Sequence, residues 1–366
     1  MSKNLSLSGK IIFEDNLLSG SIYFEETINE IKIENNKNYD NYIIPGFVDL
    51  HCHGGKGYDC MEGLESIKNM SNYHLVHGTT TLYPTTVTAV FENTFNALKG
   101  LNKYLNINKN ITNIEGIHLE GPFINPDKLG AQPPFAQLPS QNFVKKLMQE
   151  APIKIMTLAP ELKNGIELIK FLVKNNIKPQ IGHSLADYKC CILAIQNGVK
   201  SITHLYNAMT KFNHKKPGVI EAALNESKFS EIICDLIHVD KQMIRLASKN
   251  IEKLYSITDS ISASGMPDGE YKIGTQIINK KDGVAKLDKN TLGGSIITMD
   301  KTFKNLIDIG FSIQESVKMT STNAADYLGK KDIGKIIKGS KANLVLLDSK
   351  FNLIETYLNG KKIDQK

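Results

Sequence analysis

The chain has 366 residues, 41% hydrophobic and 22% charged, an ordinary globular balance with enough length for one large barrel and a minor domain. Net charge is +6, but the lysines are scattered apart from short pairs such as Lys215-Lys216 and Lys280-Lys281, which excludes the concentrated basic patch of a nucleic-acid binder and leaves weak help for anionic substrates. Five cysteines in a spacing that fits neither a disulfide framework nor a zinc ribbon read as reduced cytosolic thiols; residues 1–10 lack a signal peptide's apolar core, and no run of about 18 apolar residues suggests a membrane span, so a cytoplasmic location is expected.

In chain order, residues 11–13, 21–24 and 30–33 read as short strands separated by Asn/Glu/Gly turns. Apolar runs at 42–50, 79–83, 114–119, 153–158, 178–181, 200–203, 231–236 and 253–258 read as buried parallel strands. Amphipathic segments lie between them, for example 64–76, 143–150, 165–174, 188–196 and 241–250. Eight such units in about 250 residues make the (β/α)8 pattern. Residues 269–290 read as a hairpin excursion after the eighth strand. Residues 343–347 and 353–358, with a turn at Asn359-Gly360, return to strand character. The expected fold is α/β: a (β/α)8 TIM-like barrel over 45–335 and a small β-sandwich domain formed by both termini, 1–44 and 336–366.

Active-site residues of such barrels stand at the C-terminal ends of the strands. Six of the nine histidines fall there: His51, His53, His118, His183, His204 and His238. His51 and His53 are two apart on a strand, so both imidazoles face one side. Alone, that H-x-H is equally compatible with two polar residues at a strand end. Glu120, His183 and His204 come from three further strands and can converge on the barrel axis, giving the three protein ligands typical of a catalytic metal site with one position left open. Asp259, ending strand eight, is the candidate general acid/base; the plainer alternative is an Asp capping the turn-rich D-S-I-S-A-S-G that follows.

These stretches, in this order, resemble the N-acetylglucosamine-6-phosphate deacetylase family of amidohydrolases. The matches include P-G-F-V-D-L-H-C-H-G at 45–54, H-L-E-G-P-F at 118–123, G-H-S at 182–184, T-H-L-Y-N-A-M at 203–209, H-V-D at 238–240, T-D-S at 258–260 and L-G-G-S at 292–295. The resemblance implies an amidohydrolase-type barrel that hydrolyses the acetamide of an amino-sugar phosphate. It implies Glu120, His183 and His204 as ligands of the main divalent metal, zinc first and iron, manganese or cobalt as alternatives. His51 and His53 would hold a second ion bridged by Glu120, so one or two ions are expected. Asp259 is the implied acid/base. Ala131, Asn207, Ala208, His238, Leu292, Gly293 and Gly294 are the implied substrate contacts, with His238 polarising the acetamide carbonyl. A homodimer, or a dimer of dimers, is implied as well.

Two positions depart from the family pattern. Lys215 stands where the family's basic loop often has an Arg that contacts the phosphate, in some members from the neighbouring subunit. Lysine can hold phosphate as a point charge but not as a bidentate fork; the alternative is a solvated turn. Gln132 stands where the family often has a His, and it donates hydrogen bonds without charge. Other substrates remain open: the galactosamine isomer, or another amide. Relatives built on a carboxylated lysine are disfavoured, because residues 156–161 contain no lysine. A non-catalytic scaffold of the same fold is disfavoured by the joint presence of Glu120, His183, His204 and Asp259.

Overall fold

The computed structural model describes residues 5–13, 16–34, 36–107 and 114–364; the parts of the expected domains at 1–4, 14–15, 35, 108–113 and 365–366 lie outside these. Eight parallel strands form the barrel: Phe47–Cys52, Thr79–Thr86, Ile117–Glu120, Ile153–Leu158, Lys178–Ile181, Ser201–Ile202, Phe229–Ile233 and Lys253–Ile257. Strands one to six are hydrogen-bonded in sequence order, and strands seven and eight pair with each other. Leu205 N–H donates to Glu231 O at 2.9 Å and joins strand six to seven. Asp259 N–H donates to His51 O at 2.9 Å and joins strand eight back to one. The ring therefore closes at the level of the candidate site.

Strand positions with side chains pointing inward pack Val48, Leu50, Tyr83, Ile155, Ile233, Tyr255 and Ile257 into a barrel core. Outward-pointing residues pack against the surrounding helices, which include Leu64–Val76, Phe91–Ile107, Gly165–Lys174, Tyr188–Gln196, Val219–Glu226 and Lys241–Asn250. The alternation is visible at His51-Cys52-His53. The two imidazoles face the barrel mouth, while Cys52 faces the first helix and meets His74 Nε2 at 3.2 Å. Among the described residues no helix is long and apolar enough to cross a membrane.

Strands from both ends of the chain form one seven-stranded sheet. Its order is Lys361–Lys362, Leu353–Leu358, Leu344–Leu347, Tyr42–Pro45, Leu5–Phe13, Asn16–Phe24 and Ile28–Ile33. The sheet curls until Thr27 bridges Lys341, so its two halves face each other like the layers of a sandwich. Ile11, Ile22, Phe24, Ile43, Leu344 and Tyr357 fill the space between, with Phe24 and Tyr357 edge to face at 5.5 Å.

The structure differs from the sequence expectation in instructive places. The apolar run 42–50 is two strands serving two sheets: Tyr42–Pro45 pairs in the terminal sheet and Phe47–Cys52 opens the barrel. The break falls at Gly46, where a Cβ would lie 2.2 Å from Thr80 Oγ1, so only glycine lets the backbone pass. The excursion after strand eight is a three-stranded meander, Gly269–Ile273, Gln276–Lys281 and Val284–Lys286, rather than a hairpin. Strand three runs Ile117–Glu120, which puts Glu120 inside the strand.

Candidate active site

The strand-end residues leave the extended conformation abruptly. His183, His204 and Asp259 have φ of 49°, 29° and 49°, and Ala208 has 50°. Non-glycine residues adopt this left-handed region at a cost of order 1–3 kcal/mol each, and such strain persists where surrounding structure enforces it. Here strand pairing below and loop contacts above enforce it. Glu161 is one such enforcer. Its carboxylate accepts from Ser184 Oγ at 2.7 Å and Leu185 N–H at 2.6 Å, fixing the loop that follows His183.

Glu120 is the centre of the site. Its Oε1 lies 3.1 Å from His183 Nε2 and 3.0 Å from His204 Nε2, and those two nitrogens are 3.1 Å apart. Its Oε2 lies 3.3 Å from His53 Nε2. His51 Nε2 is 3.3 Å from His53 Nε2 and 3.6 Å from Glu120 Oε1. Donor atoms thus form two adjoining groups that share one carboxylate: Glu120 with His183 and His204, and Glu120 with His51 and His53.

Second contacts set the tautomers. A carbonyl oxygen only accepts, so His183 Nδ1–H donates to Lys128 O at 2.7 Å and His53 Nδ1–H donates to Thr85 O at 2.9 Å. In the neutral form each ring would present its Nε2 lone pair to the Glu120 carboxylate. Lone pairs facing lone pairs need a positive charge between them. Nothing in the protein supplies a fixed one: Glu120, Glu231 and Asp259 are buried here, and no lysine or arginine is buried among the described residues. The shifts in acidity express the same demand. Burial raises the pKa of Glu120, but His51 and His183 hold it well below the usual carboxylate range. Burial likewise opposes ionisation of Asp259, yet the His53 hydrogen bond and His51 bring it to about 2. Burial lowers His53, and Asp259 and Glu120 push it up to about 9. Neutral imidazoles and carboxylates converging in a buried cluster are the donor chemistry of a borderline divalent cation, and the residues fit one.

Above this floor lies a cavity of about 270 Å³ lined by His53, Glu120, His183, His204 and Asp259, with Ala131, Asn207, Ala208, His238, Leu292 and Gly294 around them. Asp259 Oδ1 is 3.1 Å from His53 Nε2 and 3.5 Å from His51 Nε2. His238 is held by Asp235, which accepts from His238 Nδ1–H at 2.7 Å and from its backbone N–H at 2.8 Å. Burial lowers the pKa of His238, and the Asp235 hydrogen bond more than reverses that. Gly294, at φ 80°, passes 3.1 Å (from its ideal Cβ) above Asp259 O, an approach a larger residue would disturb.

Three expected site residues do not line the cavity itself. His51 is beneath the cavity, wholly buried behind His53. Gly293 turns toward Ile278 rather than the cavity. Lys215 is exposed on the loop after strand six and does not line the cavity within one chain.

Sequence reasoning passed over two side chains and the partner of a third. Gln132 lines the cavity, donates from Nε2 to Glu120 Oε2, and accepts from Thr88 N–H at 2.6 Å; the departure from the family pattern flagged the position without its partner. Glu231 accepts from His51 Nδ1–H at 2.9 Å, and a charged residue within the apolar strand F-S-E-I-I was its only sequence signal. Asp235, three residues before His238, was legible only as a spacing.

The chain belongs to the amidohydrolase family, whose model matches residues 42–363. Within that class it is 37% identical to the N-acetylglucosamine-6-phosphate deacetylase of Bacillus subtilis (strain 168) over 333 residues, 88% of this chain and 84% of the relative. Its structure is similar to that of the N-acetylglucosamine-6-phosphate deacetylase of Thermotoga maritima, with a TM-score of 0.93 at 32% identity, covering 99% of this chain and 100% of that one. It is also similar to a point variant of the Mycobacterium smegmatis N-acetyl-D-glucosamine-6-phosphate deacetylase in complex with N-acetyl-D-glucosamine-6-phosphate: TM-score 0.92, 27% identity, 99% of both chains.

Proposed function

We propose that this chain hydrolyses the acetamide of N-acetylglucosamine 6-phosphate to glucosamine 6-phosphate and acetate, in the breakdown of amino sugars. The observation that carries the reading is the convergence of Glu120, His183 and His204 on one point at the cavity floor, with Asp259 beside it. Glu120, His183 and His204 would hold the main ion, zinc first among the candidates, and His51 and His53 would hold a second. When bound, a divalent cation supplies Lewis acidity here, making water acidic and easing negative charge on the acetyl oxygen.

The chain's own residues do the rest. Asp259, ionised at neutral pH, takes the proton of the water that attacks the acetyl carbon. It hands that proton to the amide nitrogen as the C–N bond breaks. With Asp235 on Nδ1, neutral His238 turns a lone pair toward the cavity; only the imidazolium donates from Nε2. Asp235 favours that form, so His238 donates to the acetyl oxygen as charge builds on it. Asn207, Ala208, Ala131 and the Leu292–Gly294 segment position the sugar.

Among the described residues the cavity lining contains no lysine or arginine, although the substrate carries a phosphate. In our reading a cytoplasmic homodimer brings Lys215 of a second copy to that end. Residues 1–44 and 336–366 form the small domain and 45–335 the catalytic barrel. Acetate release tests the function, using metal-defined enzyme on N-acetylglucosamine 6-phosphate, its galactosamine isomer and the unphosphorylated sugar. Release should be fastest with the first; none from any of the three rejects the proposal.

A further inference from the structure

Beneath the candidate ligands, a chain of buried polar groups crosses the barrel. His118 Nε2 meets Thr157 Oγ1 at 2.8 Å, and Thr157 Oγ1 meets Thr203 Oγ1 at 2.7 Å. Thr203 Oγ1 donates to Gln180 Oε1 at 2.8 Å, and Gln180 Nε2 donates to Tyr255 Oη at 3.0 Å. The chain ends at Glu231, whose Oε1 lies 3.5 Å from Tyr255 Oη. Glu231 is the only charged member of this layer, wholly buried and too deep to reach the cavity. Its other oxygen, Oε2, touches both ligand groups: it accepts from His51 Nδ1–H at 2.9 Å and from the His204 backbone N–H at 3.2 Å.

The two contacts differ in kind. The contact to His204 is to the backbone and leaves that ring's donor atom alone. The contact to His51 fixes the ring: Nδ1 must carry the hydrogen, so in the neutral, metal-binding form Nε2 turns its lone pair toward His53 and Glu120. A carboxylate behind a histidine in this manner orients the ligand and strengthens it as a donor. Charge points the same way. Glu120, Asp259 and Glu231 place three carboxylates around the donor cluster, and no lysine or arginine is buried among the described residues. One divalent ion leaves that set negative, and Glu231 favours a further cation on its own side.

We infer that Glu231 is a positioning residue that sets the affinity of the second ion, at His51 and His53, while leaving the first ion at Glu120, His183 and His204 nearly untouched. This rests on the two-ion reading above. The test is a zinc titration of chelator-stripped full-length protein against a competing chromophoric chelator, with bound zinc counted by mass spectrometry. Wild type and Glu231→Gln are compared, and the melting temperature of each metal-free protein is recorded.

The expected result is two binding steps in wild type. In Glu231→Gln the weaker step loses roughly 10- to 100-fold in affinity, the tighter step changes less than threefold, and the metal-free protein melts no lower than wild type. Glu231→Asp keeps the charge but withdraws it from His51, and should fall between the two; it carries the test if the glutamine variant does not fold. Two unchanged steps in Glu231→Gln overturn the inference alone. Equal loss of both steps with a lower melting temperature also overturns it, because that marks a merely structural role. A single step in wild type removes the two-ion reading and this inference with it.

Discussion

His53 Nε2 lies 3.1 Å from Asp259 Oδ1, so the candidate proton carrier rests against a candidate metal ligand rather than standing free in the cavity. The charge on Asp259 is therefore held in place by the same cluster that demands a cation. Asp259→Asn removes the proton carrier while keeping the shape. Acetate release should drop roughly 10²- to 10⁴-fold, with product binding retained by calorimetry. An asparagine variant working at near wild-type rate would dismiss Asp259 from the chemistry.

Asp235 favours the imidazolium form of His238, since its hydrogen bond to Nδ1 outweighs the burial that would lower the pKa. Asp235→Asn withdraws that support and the pKa falls. If the imidazolium is the working donor, the basic limb of the kcat/KM profile moves to lower pH, and the loss is greater at pH 8 than at pH 6. A uniform loss across pH would instead mark Asp235 as packing for the loop.

Lys215 offers a sharper question because it lies outside the cavity of its own chain. A charge-assisted contact is worth about 1.5–3 kcal/mol. Lys215→Ala should therefore raise KM for the phosphorylated sugar roughly 10- to 100-fold and leave the unphosphorylated sugar unchanged. Parallel losses on both sugars, or none on either, would remove lysine from phosphate recognition.

His74 gives a prediction about stability. It is wholly buried in the first helix, its Nε2–H donates to Gly54 O at 3.0 Å, and burial lowers its pKa from 6.5 to about 4. The unfolded chain therefore takes up a proton on His74 that the folded chain refuses. Stability from this residue is complete above the unfolded pKa and is lost as pH falls from about 6.5 through about 4, on the order of 3 kcal/mol in all. His74→Gln should be less stable than wild type at pH 8, and the gap in melting temperature should close by pH 4. A constant gap across that range would show that His74 does not titrate on folding.

The metal candidates were legible because they stand at strand ends, where strand alternation and barrel closure fix their direction from local sequence. Their supports were not. Glu231 acts on His51 from strand seven, two strands away around the ring, a pairing that exists only once strand eight closes against strand one. Gln132 reaches Glu120 from an irregular loop with no periodicity to read. The run at 42–50 misled for a related reason: strands buried in different sheets carry the same apolar signature, and only the close passage of Gly46 against Thr80 separates them.

That division at Gly46 bears on how the molecule is made. Tyr42–Pro45 takes Leu5–Phe13 as its neighbour on one side and Leu344–Leu347 on the other. A ribosome delivers the first partner early and the second almost last. The amino-terminal strands must therefore wait, with one edge unsatisfied, while the whole barrel emerges between them. Synthesis of a chain shortened before Leu344 would leave that edge open for good, a ready template for joining another unfinished copy.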